Sequence, residues 1–574
     1  MSSEDYIAVA AIDFGTTYSG YGFSTIQDYS VDPLKVTSCT WTSGQIMSLK
    51  TTTTILFRPD QTFDAFGYEA EDRYNDLSLD NMHTDWFYFR RFKMMLYAAQ
   101  HVHRDTPLKD ETGKEMPALV VFSECIRYMK GHLMNNLERL LPEVQPTDIK
   151  WVLTVPAIWD DAAKQFMREA AVKAGIDGGR LLLALEPEAA SMFCKHLPVE
   201  RQGATSQITC FSADSRYLVL DAGGGTVDIT VHEVNRDGTL RELVKANGGA
   251  WGGTMVDKAF VALMAEITGQ EVLDKFHEKH QDDYIDLMRA FEVRKRSIQP
   301  TSEDRITFKI PISLHELYRE MTGGEMRDAV KNNQKLNGKV SFAGDKMRTD
   351  ATIIKALFEE TCTNIVDHLR QLLKNPQTAG TRTILMVGGF SESQMLAAAV
   401  QSAFSDLRVV VPHDAGLAVL KGAVIFGHNS HVITSRIAKY TYGVSCVETF
   451  DPKKYPKERM VIYEGRYEVR KVFSKLVEIG QSLSPDSPLE AKQYFPRGKY
   501  DSMEVNLYAS PQKNPMFVDE TDAIYIGKMH VDCKDHKGRV SGAYVSLIFG
   551  DTELRVKAVH DKTGEETAAT FDFL

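Results

Sequence analysis

Two glycine-bearing turns, at residues 13–17 and 221–228, each lie between stretches in which apolar and polar residues alternate. Alternation with a period of two, or a short apolar run that ends in turn residues, predicts a β-strand. Each region is therefore predicted to be a strand, a tight turn and a second strand, with an aspartate at the head of the turn. The predicted strands cover residues 6–12, 18–23, 217–220 and 229–234.

The first 427 residues alternate between strand-like and helix-like segments, which is typical of an α/β architecture. Capping residues and apolar side chains at helical spacing mark the helices. They predict helices over residues 123–141, 160–174 and 350–373, and further helices that begin near Thr254 and at Ser391. Residues 199–216 are polar and are predicted to be a loop insertion.

The pattern changes after about residue 430. Short alternating segments separated by turn residues follow, without a long amphipathic helix, and this predicts an all-β domain. We expect residues 438–574 to form that domain and the polar residues 428–437 to be the linker before it. The predicted strands cover residues 440–447, 460–463, 471–478, 502–508, 524–531 and 544–549.

The two glycine turns are candidate phosphate sites. Glycine lets backbone amides approach an anion closely, and successive amides form a nest for it. Two such turns far apart in the sequence predict a duplicated fold that grips one phosphate chain from both sides. Asp13 and Asp221 would then hold Mg²⁺ through its water molecules, since magnesium keeps part of its hydration shell. The competing interpretation is a pair of ordinary hairpin turns, because glycine marks turns in general.

Two glycine pairs extend the candidate site. Gly252 and Gly253 directly precede a predicted helix, whose N-terminus attracts anions. Gly388 and Gly389 follow an apolar run and again precede a predicted helix. The sequence contains neither the P-loop pattern nor the glycine fingerprint of the Rossmann fold.

Composition narrows the function classes. The 574 residues are 25% charged and 43% hydrophobic, as in a soluble globular protein of several domains. A net charge of -11 argues against a nucleic-acid binder, and no apolar run has the length of a membrane span. The acidic residues after Met1 differ from the basic start of a signal peptide. The seven cysteines lack metal-binding spacing and are expected to be reduced, so we predict a cytoplasmic location.

Five segments, taken in order, resemble the nucleotide-binding domain shared by actin, sugar kinases and the 70-kilodalton heat-shock chaperones. They are residues 12–19, 154–157, 186–190, 221–228 and 387–389. Residues 160–164 and 291–296 are most similar to the divergent heat shock 70 kDa protein 12 branch of those chaperones. The resemblance implies an α/β fold in which a duplicated, actin-like (ribonuclease H-like) two-lobed domain over residues 1–427 precedes a smaller β-rich domain. It covers the β-rich part only weakly.

The resemblance also implies ATP or ADP with Mg²⁺ as cofactors, and it assigns roles by matching positions. Glu186 would help to position the attacking water, with Asp13 and Asp221 beside the metal. The residues implied in phosphate and adenosine binding are Gly15, Thr16, Thr17, Tyr18, Gly223, Gly224, Gly225, Thr226, Gly252, Gly253, Glu292, Lys295, Arg296, Gly388, Gly389, Phe390 and Asp414. Two competing interpretations stay open: Glu186 as an ordinary acid at a helix N-terminus, and residues 294–296 as a solvated helix face.

Three departures from the family pattern concern function. The family's catalytic lysine has no unambiguous counterpart here, and Arg91 is our candidate, with Arg90 and Lys93 as alternatives. Arginine is not equivalent to lysine, because its planar fork replaces a compact charge. Glu392 stands near the position of an arginine that stacks on adenine in the family. The family's acidic, leucine-rich linker and its helical lid have no counterpart in the sequence pattern.

The sequence therefore predicts an ATP-binding, chaperone-like protein with weak ATP hydrolysis, in which lobe closure around the nucleotide acts as a switch. Protein or peptide clients would bind the β-rich domain, and no nucleic-acid partner is expected. A nucleotide-binding scaffold or adaptor with little turnover is the main alternative. A small-molecule kinase of the same superfamily and an actin-like filament former also stay open.

Overall fold

A computed structural model describes residues 6–43, 46–98, 102–142, 144–197, 211–484, 489–498, 500–535, 537–550 and 553–570. The chain divides into two compact units. The first comprises residues 1–159, 166–229 and 247–429, and the second comprises residues 160–165, 230–246 and 430–574. Two short segments from the first 427 residues therefore belong to the second unit, which the pattern along the chain did not indicate.

The described helices lie almost entirely in the first unit. They are α1 Ile26–Val31, α2 Tyr68–Leu79, α3 Met95–Ala98, α4 Ala118–Leu140, α5 Asp161–Lys173, α6 Glu186–His196, α7 Thr254–Thr268, α8 Gln270–Lys279, α9 Gln281–Ser297, α10 Ile312–Thr322, α11 Met326–Asn332, α12 Ala351–Ala356, α13 Glu359–Leu373, α14 Gln394–Ala403 and α15 Ala418–His428. Among these helices, none combines the length and the apolarity that a bilayer crossing needs.

Strands occur in both units. Up to residue 437 they are β1 Ala8–Phe14, β2 Tyr18–Thr25, β3 Thr37–Ser38, β4 Trp41–Ser43, β5 Ile46–Ser48, β6 Thr51–Thr52, β7 Thr54–Phe57, β8 Phe63–Phe66, β9 Phe87–Arg90, β10 Pro107–Lys109, β11 Glu115–Pro117, β12 Ile149–Val155, β13 Leu181–Leu185, β14 Arg216–Ala222, β15 Val227–Val234, β16 Leu240–Gly249, β17 Ile306–Lys309, β18 Val340–Ala343, β19 Lys346–Thr349, β20 Thr381–Val387, β21 Arg408–Val410 and β22 Ile433–Ile437. The remaining strands are β23 Thr441–Thr449, β24 Met460–Tyr463, β25 Arg466–Val477, β26 Ser482–Leu483, β27 Lys492–Tyr494, β28 Ser502–Ser510, β29 Ile524–Asp532, β30 Ala543–Gly550, β31 Glu553–His560 and β32 Glu566–Thr570.

Two sheets of the fold share the arrangement of five strands. One sheet has the order β13-β12-β1-β2-β3, and the other begins with the order β21-β20-β14-β15-β16 and continues to β22 and β26. In each sheet the hairpin with the glycine turn pairs in parallel with a later strand, β1 with β12 and β14 with β20. This repeated topology is the duplication that the two hairpins predicted.

Helix α15 is central to the core of the first unit, because almost every residue in it is buried. It contacts α6 closely: a Cβ at Gly422 would meet the carbonyl oxygen of Ala189. At Gly427 it lies against Val9 of β1 and Val152 of β12. A helix that is apolar on all sides must be buried on all sides, so α15 ties the first sheet to α6.

The second unit contains two antiparallel sheets, β24-β25-β23-β28-β29 and β27-β30-β31-β32. One hydrophobic cluster draws on both sheets, with Tyr442 and Leu507 from the first and Val545 and Val556 from the second. Strand β22 lies inside the stretch predicted to be a linker, where it pairs with β16 and β26. Four of the strands described after residue 437, β26, β27, β31 and β32, were not predicted.

Several predicted boundaries differ from the structure. Helix α4 begins at Ala118, directly after Pro117, and not at Ser123. The long helix predicted from Asp350 is two helices, α12 and α13, and Asp350 caps the first by accepting a hydrogen bond from the amide of Thr352 at 2.9 Å. A single helical turn, Gly389–Glu392, follows Gly388. The helix predicted to begin at Ser391 therefore begins at Gln394, the first residue of α14. Most of the predicted loop 199–216 lies outside the described residues.

The packing of α15 generates a stability prediction. Gly422→Ala should destabilise the first unit by about 1–3 kcal/mol, because the added methyl overpacks the contact with α6. Gly131→Ala is the matched control, since Gly131 lies in α4 with open space around its Cα. That control should be neutral or stabilising by up to about 1 kcal/mol. Urea denaturation followed by circular dichroism measures both, and equal effects at the two positions would contradict the assignment.

Candidate functional site

The two glycine turns are in direct contact. A Cβ at Gly224 would overlap the side chain of Thr17, and one at Gly225 would overlap the side chains of Thr16 and Met94. Only glycine lets the two backbones come this close. The structure therefore brings together the predicted phosphate-binding residues of the two repeats, as expected of turns that grip one ligand.

Asp13 stands at the end of β1 with both carboxylate oxygens engaged. Its Oδ2 lies 2.6 Å from the Nζ of Lys50, and its Oδ1 accepts a hydrogen bond of 2.9 Å from the hydroxyl of Thr154 on β12. The Asp13 residue is only 4% exposed. Asp13 is therefore a buried acidic side chain with a lysine as its partner.

Glu186 forms a second buried ion pair at the start of α6. Its Oε1 lies 2.8 Å from the Nζ of Lys93, which in turn lies 5.0 Å from the centre of the Trp159 ring. Burial raises the pKa of the Glu186 carboxyl to about 7; Lys93 opposes that rise, and Asp228 and Asp13 add to it. A carboxyl that titrates near neutral pH is suited to exchange a proton with water.

Asp221, at the end of β14, completes the acidic cluster. Burial raises its pKa well above the ordinary value, and the charges of Glu186, Asp228 and Asp13 raise it further. Asp228 itself is buried and accepts a hydrogen bond of 2.8 Å from the amide of Ile158. Carboxylates that repel one another out of contact with water attract a cation.

The cluster fits a hydrated Mg²⁺ ion better than a directly ligated metal. Within the described part of the chain, no three His, Cys, Asp or Glu side chains are placed to hold a metal together. Both oxygens of Asp13 already have partners within hydrogen-bond distance. The waters of a hydrated Mg²⁺ ion would donate hydrogen bonds to such carboxylates, and the charge of the ion would relieve the repulsion at Asp221.

The other predicted glycines, Gly252, Gly253 and Gly388, stabilise the turns more than they provide amides for a ligand. The amides of Gly252 and Gly253 donate to the carbonyls of Gly225 and Gly223, each at 3.1 Å. Gly388, at a φ of +84°, leaves no room for a Cβ beside the carboxylate of Asp221. These residues therefore lie at the predicted site, but Gly252 and Gly253 hold the turn itself in place.

A continuous series of ion pairs links Arg91 to Arg296. Arg91 and Lys295 both contact the buried Asp257, at 2.8 Å and 2.7 Å. Lys295 and Arg296 also pair with Glu292, at 2.5 Å and 2.8 Å. The Arg296 guanidinium lies 5.2 Å from the centre of the Tyr18 ring. The predicted adenosine-side residues Tyr18, Glu292, Lys295 and Arg296 are thus brought together, with Arg91 joined to them through Asp257.

The three candidates for the basic residue occupy different places. Lys93 pairs with Glu186 and is buried. Arg91 has a left-handed backbone, with φ of 54°, and pairs with Asp257 instead. Burial lowers the pKa of Arg90, but the charges of Glu111 and Glu71 outweigh this effect and raise the pKa above its ordinary value. The structure therefore places Lys93 with the acidic cluster, whereas the sequence analysis had chosen Arg91.

The residues after the last glycine pair are partly engaged with one another. Glu392 accepts a hydrogen bond of 2.9 Å from the amide of Gly416. Asp414 pairs with Lys421 at 2.6 Å, and Phe390 is buried against Gly253. Because Glu392 is an acid and is hydrogen-bonded to the backbone, it provides no cation that could stack on a base. Recognition of a base would therefore depend on Arg296 and Tyr18.

Sequence reasoning did not identify four of the residues in this cluster as functional. They are Lys50, Thr154, Asp228 and Asp257. Lys50 and Thr154 contact Asp13, and Asp257 contacts Lys295, while the charge of Asp228 acts on Asp221. Thr154 and Asp228 lie inside motifs that were quoted, so their segments carried a signal. Lys50 precedes a run of threonines and Asp257 lies in an ordinary first helical turn, and neither pattern marks a site.

The sequence of the chain is similar to those of several known proteins. The model of one protein family, described as Hsp70 protein, matches residues 91–447. Human heat shock 70 kDa protein 12B is 34% identical over an alignment that covers 99% of this chain and 91% of that protein. Human heat shock 70 kDa protein 12A is 32% identical, with 100% and 92% covered. The chaperone protein DnaK of Endomicrobium trichonymphae is 34% identical over 21% of this chain and 17% of its own length.

The raised pKa of Asp221 gives a pH-dependent prediction. Folding raises this pKa above the ordinary 3.8, so the stability associated with the protonated form is lost as the pH rises through the folded-state pKa. Asp221→Asn removes that loss. The melting temperature of the nucleotide-free variant should exceed that of the unmodified protein by roughly 2–4 °C for each kcal/mol of repulsion relieved.

The gain should increase as the pH rises above 3.8 towards the folded-state pKa, because over that range the unfolded chain ionises while the native carboxyl stays protonated, and it should level off at higher pH. Asp105→Asn is the control, since Asp105 is an exposed aspartate outside the cluster. Differential scanning fluorimetry across this pH range measures all three proteins. A gain that is independent of pH, or equal in the control, would contradict the electrostatic explanation.

Proposed function

The chain belongs to the Hsp70 family, and from this premise we propose that it is an ATP-binding, chaperone-like protein that hydrolyses ATP slowly. The observation that supports hydrolysis most directly is the buried Glu186–Lys93 pair beside Asp13 and Asp221. This pair lies where the two halves of the duplicated fold meet. A cytoplasmic location stays a prediction.

The phosphates of the nucleotide would lie against the two turns. Thr16 and Thr17 supply hydroxyls there, and their side chains lie directly against Gly225 and Gly224 of the second turn. Mg²⁺, when bound, would neutralise part of the phosphate charge and would be held through water by Asp221 and Asp13. The adenosine would extend towards Tyr18 and Arg296, where the guanidinium already lies over an aromatic ring.

Glu186 is the proposed acceptor of the proton from the attacking water. Its pKa of about 7 lets it be ionised in a useful fraction of molecules and still bind a proton. Lys93 keeps the carboxylate in one orientation through the 2.8 Å contact and adds positive charge near the site of reaction. Phosphoryl transfer depends mainly on such positioning and electrostatics.

A nucleotide-binding scaffold with little turnover is the second candidate. Glu392 supports it, because an acid that accepts a hydrogen bond from Gly416 cannot grip a base as a stacked arginine does. A site with a loosely held base would bind nucleotide weakly and turn it over slowly. Release of phosphate without any added acceptor separates hydrolysis from a small-molecule kinase.

We propose further that the second unit binds protein clients at the hairpin formed by β24 and β25. Strand β24 is the last strand of its sheet in the described part of the chain. Ile462 of β24 faces Tyr467 of β25, and these side chains are 64% and 55% exposed. Val469, further along β25, is buried in a small cluster with Tyr455 and Phe517. The base of the hairpin is thus packed, and its end presents apolar side chains.

Charge indicates which client segment would fit. Residues 453–475 contain eight Lys or Arg and three Asp or Glu, in a chain with a net charge of -11. The guanidiniums of Arg497 and Arg470 lie over the exposed ring of Tyr463, at 3.9 Å and 5.5 Å from its centre. An exposed edge strand pairs readily with an extended chain. The proposed client is therefore an extended segment in which apolar and acidic residues alternate.

The hydrolysis proposal predicts a separation between binding and turnover. Glu186→Gln should reduce phosphate release from Mg²⁺-ATP by at least about 100-fold, because it removes the proton acceptor. ATP binding should stay within a few-fold of the unmodified protein, while Asp13→Asn should weaken binding itself. Phosphate release and isothermal titration calorimetry measure the two quantities. Glu138→Gln, on an exposed part of α4, is the control.

Binding without any phosphate release in the unmodified protein would favour the scaffold. Equal turnover in the Glu186→Gln variant would show that this carboxyl does not take the proton. Absence of binding in the unmodified protein would overturn the nucleotide site altogether.

The hairpin proposal predicts a selective loss of peptide binding. A fluorescein-labelled peptide of alternating valine and glutamate should bind, and Ile462→Glu should weaken it at least about tenfold by charge repulsion and loss of apolar contact. Ile312→Glu is the matched control, because Ile312 in the first unit has the same exposure of 64%. Fluorescence anisotropy measures both variants. Equal binding of a valine–lysine peptide would contradict the predicted charge preference.

A further inference from the structure

Lys50 is a partly buried cation that the proposed hydrolysis does not use. Its side chain is 18% exposed, and that of its partner Asp13 is 6% exposed. The 2.6 Å contact joins its Nζ to the Oδ2 of Asp13, while Thr154 occupies the Oδ1. Lys50 therefore lies at the carboxylate that was predicted to hold Mg²⁺ through water.

The backbone fixes Lys50 in this place. Lys50 directly precedes β6, which pairs with β2 by placing Thr51 opposite Ser19. Thr53, two residues further on, ties the segment to the glycine turn. Its amide donates to the carbonyl of Thr17 at 2.9 Å, and its hydroxyl donates to the carbonyl of Gly15 at 2.8 Å. The Lys50 side chain also packs over Gly20, where a Cβ would lie 3.0 Å from its Cγ.

The acids of the cluster are consequently not equivalent. Asp13 and Glu186 each have a lysine within 2.8 Å, Lys50 and Lys93. Asp221 is the member on which the charges of the other acids converge. A divalent cation attracted to this cluster would gain most at Asp221 and least at Asp13, where an ammonium already lies.

We propose that Lys50 is a built-in counter-cation of the nucleotide site, which neutralises Asp13 and so allows nucleotide phosphates to bind with a reduced requirement for Mg²⁺. The inference rests on the proposed nucleotide binding. Without Lys50, the Asp13 carboxylate would repel the phosphates at the neighbouring Thr16 and Thr17, and bound Mg²⁺ would have to offset that repulsion. Lys50 is thus a positioning residue, which acts on the ligand through Asp13.

The test compares ADP affinity in excess Mg²⁺ with ADP affinity in excess EDTA, by isothermal titration calorimetry. The unmodified protein should lose less than about tenfold in affinity when Mg²⁺ is removed. Lys50→Met should lose at least about tenfold more than that, because the buried carboxylate is then uncompensated. Lys35→Met is the control: Lys35 also contacts an aspartate, Asp28, at 2.6 Å, but its side chain is 64% exposed.

The double variant Asp13→Asn with Lys50→Met keeps the inference testable if the single variant does not fold. It buries neither charge, so it should fold. Its affinity for ADP should be lower, as for Asp13→Asn alone, but the ratio of its affinities with and without Mg²⁺ should be that of the unmodified protein. Thermal melting without nucleotide checks the folding of each variant. A strong Mg²⁺ dependence in this double variant would overturn the inference.

The outcomes separate this inference from the proposed function. If the unmodified protein fails to bind ADP even with Mg²⁺, the nucleotide site is overturned and the role of Lys50 with it. If it binds ADP and Lys50→Met shows the same ratio of affinities with and without Mg²⁺, only the role of Lys50 is overturned. A changed ratio in Lys50→Met, with Lys35→Met unchanged, supports the counter-cation.

Discussion

Burying several carboxylates beside one another is the physical demand that organises the first unit. Asp13, Glu186 and Asp221 come from three different strands or helices and are withdrawn from water together. Such a cluster opposes folding unless cations balance it. Lys50 and Lys93 supply part of that balance from within the chain. The imbalance that is left, concentrated at Asp221, is an electrostatic driving force for binding a ligand that brings positive charge.

Close approach of the backbone is what makes the cluster possible. The two turns touch through Thr16 and Thr17 on one side and Gly224 and Gly225 on the other, and any Cβ at those glycines would separate them. Gly388 serves the same purpose beside Asp221. The duplicated sheets thus deliver the acids to one place, and the glycines set how near they come. Replacing one of these glycines would affect ligand binding by increasing the distance between the two turns, and not by removing a contact.

The second unit follows a different principle. Its two sheets share one core, which includes Tyr442, Leu507 and Val545, whereas the end of the β24–β25 hairpin presents Ile462 and Tyr467 to solvent. Natural proteins usually protect an exposed edge strand with charge or a covering segment. Here two arginines, Arg470 and Arg497, lie over the ring of Tyr463, whereas Ile462 and Tyr467 stay exposed. The packed base, which includes Val469 and Phe517, holds this edge in place in water.

The sequence by itself determined the local elements that carry the chemistry. The hairpins around residues 13–17 and 221–228, strand β24 and the start of α7 follow from periodicity and from glycine, whose effects are local. It did not reveal that the helix from Asp350 is broken or that α4 begins at Ala118. Only the tertiary structure decided which basic residue joins the acids, Lys93 and not Arg91, because their partners, Glu186 and Asp257, come from distant parts of the chain. The role of Lys50 was equally hidden, since an ion pair between residues 37 positions apart leaves no periodic trace in the chain.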